Sequence, residues 1–267
     1  MPPTTRPLTL ITGASGGIGA DLARVFARHG HDLALVARDV AKLEALADEI
    51  AATGRPRPLV VALDLTAPGA AAQLVAALPR EGAQVSCLVN NAGFGLLGDF
   101  DGADPAGQLG MVDLNISALV ELTSAFLPQI RAAKGRILNV ASIAAFLPGP
   151  GFAVYYATKA FVASFSAALG QELKGDGVTV SVLCPGLTAS GFQARAGFDA
   201  SLPLAKVAMM DAMSVAEAGY AGLMRGKRLI VPGFANKITV ALSALIPRSL
   251  CLPIIAKLQK TRSSKTA

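Results

Sequence analysis

A chain of 267 residues in which 52% are hydrophobic and 16% charged is too apolar for disorder and long enough for one large α/β domain. Its net charge of +6 sits at one end, since residues 234–267 hold six of the 24 Lys and Arg and none of the Asp or Glu. A nucleic-acid-binding face, which would spread cations and aromatics over the folded part, is therefore not expected.

The N-terminus, "MPPTTRPLTLITG", reaches a glycine turn after one basic residue and a short apolar run. It lacks the layout of a signal peptide, which predicts a cytoplasmic protein. From there short apolar runs alternate with alanine-rich stretches. "LTLITG" precedes a helix over 17–29, "DLALVA" one over 39–53 and "PLVVALD" one over 68–79. "QVSCLVNNAG" precedes a helix over about 104–133, "GRILNVAS" one over 153–174, and "VTVSVLCPG" and "RLIVPG" follow. Continuous apolar strands separated by helices predict a parallel sheet covered on both faces, a Rossmann-type, doubly wound α/β fold with seven strands. One domain is expected over 1–233, with 187–226 as a lid inserted before the last strand and 234–267 as a basic, apolar extension.

In such a sheet ligands bind beyond the carboxyl ends of the strands, so the residues that follow each strand carry the functional information. "TGASGGIG" (12–19) joins the first strand to the first helix. Gly13 suits a tight turn, Gly17 close approach to a pyrophosphate and Gly19 close packing of helix on strand, with Ser15 and Ile18 in the same cradle. After the second strand, "LVARD" offers Arg38 where a free ribose 2′-OH would call for an acid, so NADP(H) is expected over NAD(H). The alternative for Arg38 is a surface pair with Asp39. After the third, "LDLT" offers Asp64 as an acceptor and Leu65 as an apolar contact for adenine, with a helix cap as the alternative for Asp64.

Cys87, Cys184 and Cys251 lie in apolar runs without CxxC spacing and read as buried, reduced thiols. His29 and His31, in "RHGHD", have no cysteine or carboxylate cluster around them, so they read as solvated loop residues and no metal is expected. In "AVYYATKAF" (153–161), Lys159 lies four residues after Tyr155 and three after Tyr156, and on helical spacing alone either tyrosine could face it.

These motifs, with "NNAG" (90–93), Asn115 in "LNIS", Ser142 in "NVAS" and "PGLT" (185–188), resemble the short-chain dehydrogenase/reductase family in its single-domain form, over residues 8–233. The resemblance implies a carbonyl reductase with Ser142, Tyr155, Lys159 and Asn115 as its catalytic group. It also implies dinucleotide contacts from Asn91, Ala92, Gly93, Tyr155, Lys159, Pro185, Gly186 and Thr188. Tyr155 would be the proton donor, Lys159 would lower its pKa, and Ser142 would hold the substrate oxygen. Asn115 would anchor a water, and Tyr156 would be a packing residue. The family also implies a homodimer or homotetramer, in keeping with an apolar helix over 153–174. Many NADP-preferring relatives carry a basic residue where Ser15 and Gly16 stand here, so Arg38 must select the cofactor with little help.

Phe192, Phe198, Leu202, Leu204, Val207, Met209, Met210 and Met213 in the lid, with Phe94, Phe146, Leu147 and Phe152, point to an apolar lipid-like, steroid-like or aromatic carbonyl substrate. An epimerase or dehydratase and a non-catalytic nucleotide sensor are the alternatives, the last opposed by the intact Ser142, Tyr155 and Lys159. For the extension, contact with a membrane surface competes with packing on the lid or on a second subunit.

Overall fold

A computed structural model describes residues 6–78, 83–197, 209–243 and 245–263. Strands β1 (Arg6–Thr12), β2 (Asp32–Ala37) and β3 (Leu59–Ala62) alternate with helices α1 (Gly17–Arg28), α2 (Val40–Ala52) and α3 (Ala70–Ala77). Then come β4 (Ala83–Asn90), α4 (Pro105–Val112), α5 (Ala118–Ala132), β5 (Arg136–Val140), α6 (Ala153–Glu172) and β6 (Thr179–Leu183). A two-stranded ribbon of β7 (Thr188–Ala189) and β8 (Met210–Asp211) brackets α7 (Phe192–Ala196). Helix α8 (Ala212–Met224), β9 (Leu229–Ile230), α9 (Phe234–Ser243) and α10 (Arg248–Ser263) end the chain.

Seven parallel strands form one sheet in the order β3-β2-β1-β4-β5-β6-β9, the doubly wound arrangement whose order reverses between β1 and β4. The strands read as unbroken apolar runs because helices cover both faces. Leu10, Ile11, Leu35, Val36, Leu88, Val89, Ile137 and Leu138 are all fully buried. On one face α1 packs Leu22, Val25 and Phe26 with Val215 and Leu223 of α8; on the other, α5 supplies Leu122, Phe126 and Ile130. Inside the sheet layer, Asn90 Nδ2 donates to Thr123 Oγ1 (3.1 Å) and to Asn139 Oδ1 (2.9 Å), and Asn139 Nδ2 donates to Ser166 Oγ (2.9 Å). This buried polar chain ties β4 and β5 to α5 and α6, and it fixes their register because each broken link would strand a desolvated amide or hydroxyl.

Three expectations change, and one alternative falls. The single helix over 104–133 is divided by a π-turn at Asp113–Ser117, closed by a bond from Ala118 N–H to Asp113 C=O. The lid expected over 187–226 ends early, because α8 buries Val215, Ala216 and Leu223 in the main core and Met210 and Met213 pack against that core. Its Phe198, Leu202, Leu204 and Val207 lie outside the described residues. His29 and His31 are not simply solvated. His31 bonds Thr9 Oγ1 through Nδ1 and the Tyr220 hydroxyl through Nε2, at 3.2 Å each, and His29 stacks on the Tyr220 ring; burial, helped by His29 and Arg136, lowers the pKa of His31. Finally Asp39 does not pair with Arg38 but caps α2 through Lys42 N–H and holds the Lys42 ammonium at 2.7 Å. Cys87, Cys184 and Cys251 are buried and free, as expected.

Candidate active site

The glycine-rich turn leaves β1 and opens α1. Gly17 has φ +54°, a conformation that side chains rarely adopt, and a Cβ there would stand 3.0 Å from Ser190 Cβ. At Gly19 a Cβ would fall 2.3 Å from the Gly13 carbonyl oxygen and 2.4 Å from Asn91 Nδ2, so the helix lies against the turn itself. Helices α2, α4 and α8 are capped by Asp39, Asp104 and Asp211, whereas α1 has no side-chain cap. Its first N–H groups and dipole face the cradle and suit a phosphate. Ser15, Gly16 and Gly17 line a cleft of about 440 Å³ there, with Lys42 and Ser190 on its rim. Ile18 packs back onto the core.

The turn after β4 holds this cradle shut. Asn91 Nδ2 donates to Thr12 C=O at 2.9 Å, and Thr12 Oγ1 accepts from the N–H groups of Asn91 and Ala92. Gly93 has no side chain for a spatial reason: a Cβ would lie 2.8 Å from Asn115 Oδ1 and 3.4 Å from Lys159 Nζ. The backbone there is packed directly against Asn115 and the lysine. The uncapped helix and the glycine turn are features a nicotinamide dinucleotide requires, so the residues present fit such a cofactor.

At the adenine end the sequence expectations divide. Arg38 is exposed, with Nη1 3.9 Å from Asp64 Oδ2. Asp64 closes a local turn by accepting from Thr66 N–H and Oγ1, which hold its carboxyl below the usual range. Leu65 is buried in the core beside α3 and offers little surface to a ligand. This corrects its expected role as an adenine contact: its side chain fills the space under the turn.

Beyond β5 the second half of the site assembles. Ser142 caps a short 3₁₀ turn (Ile143–Phe146), with Oγ accepting from Ala144 N–H at 3.1 Å and donating to Pro185 C=O at 3.4 Å. As a hydrogen-bonding neighbour of the Tyr155 side chain, it also acts to lower the phenol pKa. Lys159, one turn further along α6, lies under the Tyr155 ring, 5.7 Å from its centroid, and donates to Val140 C=O at 3.0 Å. The π-turn swings Asn115 into the same place, where it bonds both backbone groups of Phe94 and donates to Thr158 Oγ1. Ser142, Tyr155, Lys159 and Asn115 thus meet at one point. Tyr156 faces elsewhere, its ring lying against Gly149.

The expected depression of the Tyr155 pKa is not found. Tyr155 is buried, and burial pushes the phenol up despite the Ser142 hydrogen bond. Lys159 is buried too, which brings its ammonium down to about 8. Desolvation outweighs the mutual attraction because the lysine nitrogen is engaged by the Val140 carbonyl, not by the phenol oxygen.

After β6, Pro185 C=O also accepts from Ile143 N–H, and Gly186 makes room for the Asn236 side chain. Thr188 is buried and donates to Gly186 C=O at 3.1 Å. Sequence reasoning missed Gln193, which is buried, bonds Thr188 C=O and accepts from Ser190 N–H and Oγ. The one signal for it was a lone amide at the start of the short helix FQARA. Above the tyrosine, Phe152 stacks at 4.4 Å and Phe192 stands at 5.4 Å, with Phe94, Leu96 and Met111 in the same apolar cluster.

The short chain dehydrogenase family model matches residues 7–200. A serine 3-dehydrogenase from Agrobacterium fabrum is 38% identical over 189 residues, 68% of this chain and 72% of that protein. A short-chain dehydrogenase from Sphingobium yanoikuyae, solved in complex with NADPH, superposes with a TM-score of 0.80 at 34% identity, over 92% of this chain and 95% of that one. A bulky-bulky ketone specific alcohol dehydrogenase from Comamonas testosteroni gives a TM-score of 0.75 at 32% identity, over 91% and 94%. Bound cofactors differ among such neighbours: a 3-ketoacyl-(acyl-carrier-protein) reductase from Brucella melitensis, 27% identical over 85% of this chain, is complexed with NADH. With the glycine cradle, the Ser142–Tyr155–Lys159 group and a family match over most of its length, the chain belongs to the short-chain dehydrogenase/reductase family and is an NAD(P)-type oxidoreductase.

Proposed function

We propose that the protein is an NADP(H)-dependent reductase of apolar ketones or aldehydes, with Tyr155 as proton donor. The observation that carries this reading is the buried Tyr155 ring, stacked by Phe152 at 4.4 Å, with Phe192 at 5.4 Å and Lys159 Nζ 5.7 Å from its centroid. The bound dinucleotide supplies a hydride. The chain does the rest: Ser142 and Tyr155 hold the substrate oxygen, and Tyr155 gives it a proton as negative charge develops. A phenol with a raised pKa is fully protonated at neutral pH, which suits reduction better than abstraction of an alcohol proton. Lys159, an ammonium below about pH 8, offsets the charge left on the phenol oxygen. Asn115 and Thr158 fix the helix turn between them, since Thr158 Oγ1 donates to Tyr155 C=O at 2.8 Å.

The apolar substrate class is supported by the cluster of Phe94, Leu96, Met111, Phe152 and Phe192 around the tyrosine. Arg195 favours the competing reading of a hydroxy acid, for it shares α7 with Phe192; its Nε, however, turns back onto Gly191 C=O at 3.2 Å. Assay of NADPH consumption with bulky aryl and alicyclic ketones beside 3-oxo acids decides between them. Higher kcat/KM for the bulky ketones supports the proposal, and higher kcat/KM for the acids overturns the apolar class.

For the cofactor, Arg38 stands exposed at the end of β2, 3.9 Å from Asp64 and not held by Asp39, which pairs with Lys42 instead. Arg38→Asp is expected to lower the ratio of NADPH to NADH affinity by about tenfold to a hundredfold, the worth of one charge-assisted contact. A ratio that does not move in a fluorescence titration makes Arg38 a plain surface residue. The assembly follows from α6, whose exposed face of Ala153, Ala157, Phe161, Ser164 and Ala168 carries no charge; a homodimer or homotetramer would cover it. Sedimentation at micromolar concentration tests this, and a monomer contradicts it.

A further inference from the structure

The C-terminal helices wear their apolar side outward. Helix α9 turns Asn236, Val240 and Ser243 toward the protein and leaves Phe234, Ile238 and Leu242 exposed at 78%, 44% and 46%. Spacing by four puts those three in one stripe. An ordinary surface helix does the reverse. Helix α10 repeats the pattern, with Cys251 buried and Leu250 and Ile254 exposed at 60% and 62%. Scattered exposed leucines are normal, but a continuous stripe on two successive helices marks a contact surface.

Charge decides what the contact is. The same segment carries Lys237, Arg248, Lys257, Lys260, Arg262 and Lys265 and no acid. Two copies of the chain meeting through this stripe would set six cations against six, with no carboxylate in either segment to pair them. An anionic lipid surface supplies the opposite charge and an apolar layer beneath it. Helices α9 and α10, at 10 and 16 residues, are both too short to span a bilayer, which takes about 20 residues. The run Pro105–Ala132 is long and apolar enough, yet its Leu119, Leu122, Phe126 and Ile130 are buried in the fold.

We propose that the C-terminal extension lies in the interface of an anionic membrane, with Phe234, Ile238, Leu242, Leu250 and Ile254 among the acyl chains and the basic residues at the headgroups. The same helices form a wall of a cleft of about 970 Å³, whose other wall includes Phe146, Leu147 and Tyr156 next to the Ser142 turn. Docking in this way brings that cleft to the lipid edge. The inference concerns where the enzyme sits and stands whichever carbonyl compound it reduces.

Flotation of the full chain with vesicles of phosphatidylglycerol and phosphatidylcholine tests it. Expected is binding to the anionic vesicles, little to pure phosphatidylcholine, and loss of binding at roughly 0.5 M salt, where screening shortens to a few ångströms. The triple variant Phe234→Glu, Ile238→Glu, Leu242→Glu is expected to bind about a hundredfold more weakly. So is Lys257→Gln, Lys260→Gln, Arg262→Gln, Lys265→Gln. Absence of flotation by the unmodified chain, or binding indifferent to lipid charge and salt, overturns the proposal without any variant having to fold. So does a Glu variant that dissociates an oligomer in sedimentation yet keeps full vesicle binding, for then a second copy covers the stripe.

Discussion

Tyr155→Phe is expected to lower kcat by about 10²–10⁴-fold, the usual worth of a positioned proton donor, while NADPH affinity stays within a few-fold of the wild type. The substitution removes one hydroxyl from a ring that keeps its stack on Phe152 at 4.4 Å, so the loss is chemical and not structural. Tyr156→Phe is the internal control, because that ring lies against Gly149 and makes its loss of activity small. Steady-state kinetics and a cofactor titration on the two variants check the assignment. Equal losses in both would overturn the assignment of Tyr155 over Tyr156.

Replacing Lys159 with Met separates catalysis from stability. Activity is expected to fall by about 10²–10⁴-fold, since the developing phenolate loses the ammonium that stands 5.7 Å from its ring centroid. Stability is expected to move the other way. The folded pKa of about 8 lies below the unfolded 10.5, so the buried ammonium costs the fold stability at pH values below 8. That cost is relieved as pH rises from 8 to 10.5. Met at this position avoids it but leaves the Val140 carbonyl unpaired at every pH, for a net gain of about 2 kcal/mol near pH 7 that turns into a net loss of about 1 kcal/mol by pH 10.5. Denaturant unfolding of both chains at pH 7 and pH 10 measures the difference. The wild-type rate of reduction should also fall as pH passes about 8, where the lysine becomes neutral and stops offsetting the charge on the phenol oxygen.

The sheet was legible because its strands are short runs rich in Val, Leu and Ile, several of them closed by a turn residue such as Gly13, Asn91 or Ser142, and burial on both faces leaves little polar alternation to confuse the reading. The site was legible where backbone shape demanded a residue type, as at Gly17 and Gly19, and Ser142, Tyr155 and Lys159 were legible through the family resemblance, because helical spacing alone left Tyr155 and Tyr156 open. Three features were not. The π-turn that places Asn115 adds one residue to a helix whose apolar pattern continues through it, so periodicity cannot register it. Met213 and Val215 look like lid residues in sequence, yet they pack on α1 because a helix there completes the core. The pKa of Tyr155 depends on where Lys159 Nζ points, and a carbonyl 19 residues away in sequence, that of Val140, decides this.

Transfer of deuterium from 4-deuterated NADPH to the carbonyl carbon of a bulky ketone, read by mass spectrometry of the alcohol product, tests the central claim most directly. The account predicts one deuterium in the product made by the wild-type chain, from one face of the nicotinamide, and a rate of labelling lowered by about 10²–10⁴-fold in Tyr155→Phe. An unlabelled alcohol, no reaction with any ketone tested, or equal labelling rates in the two chains would contradict it.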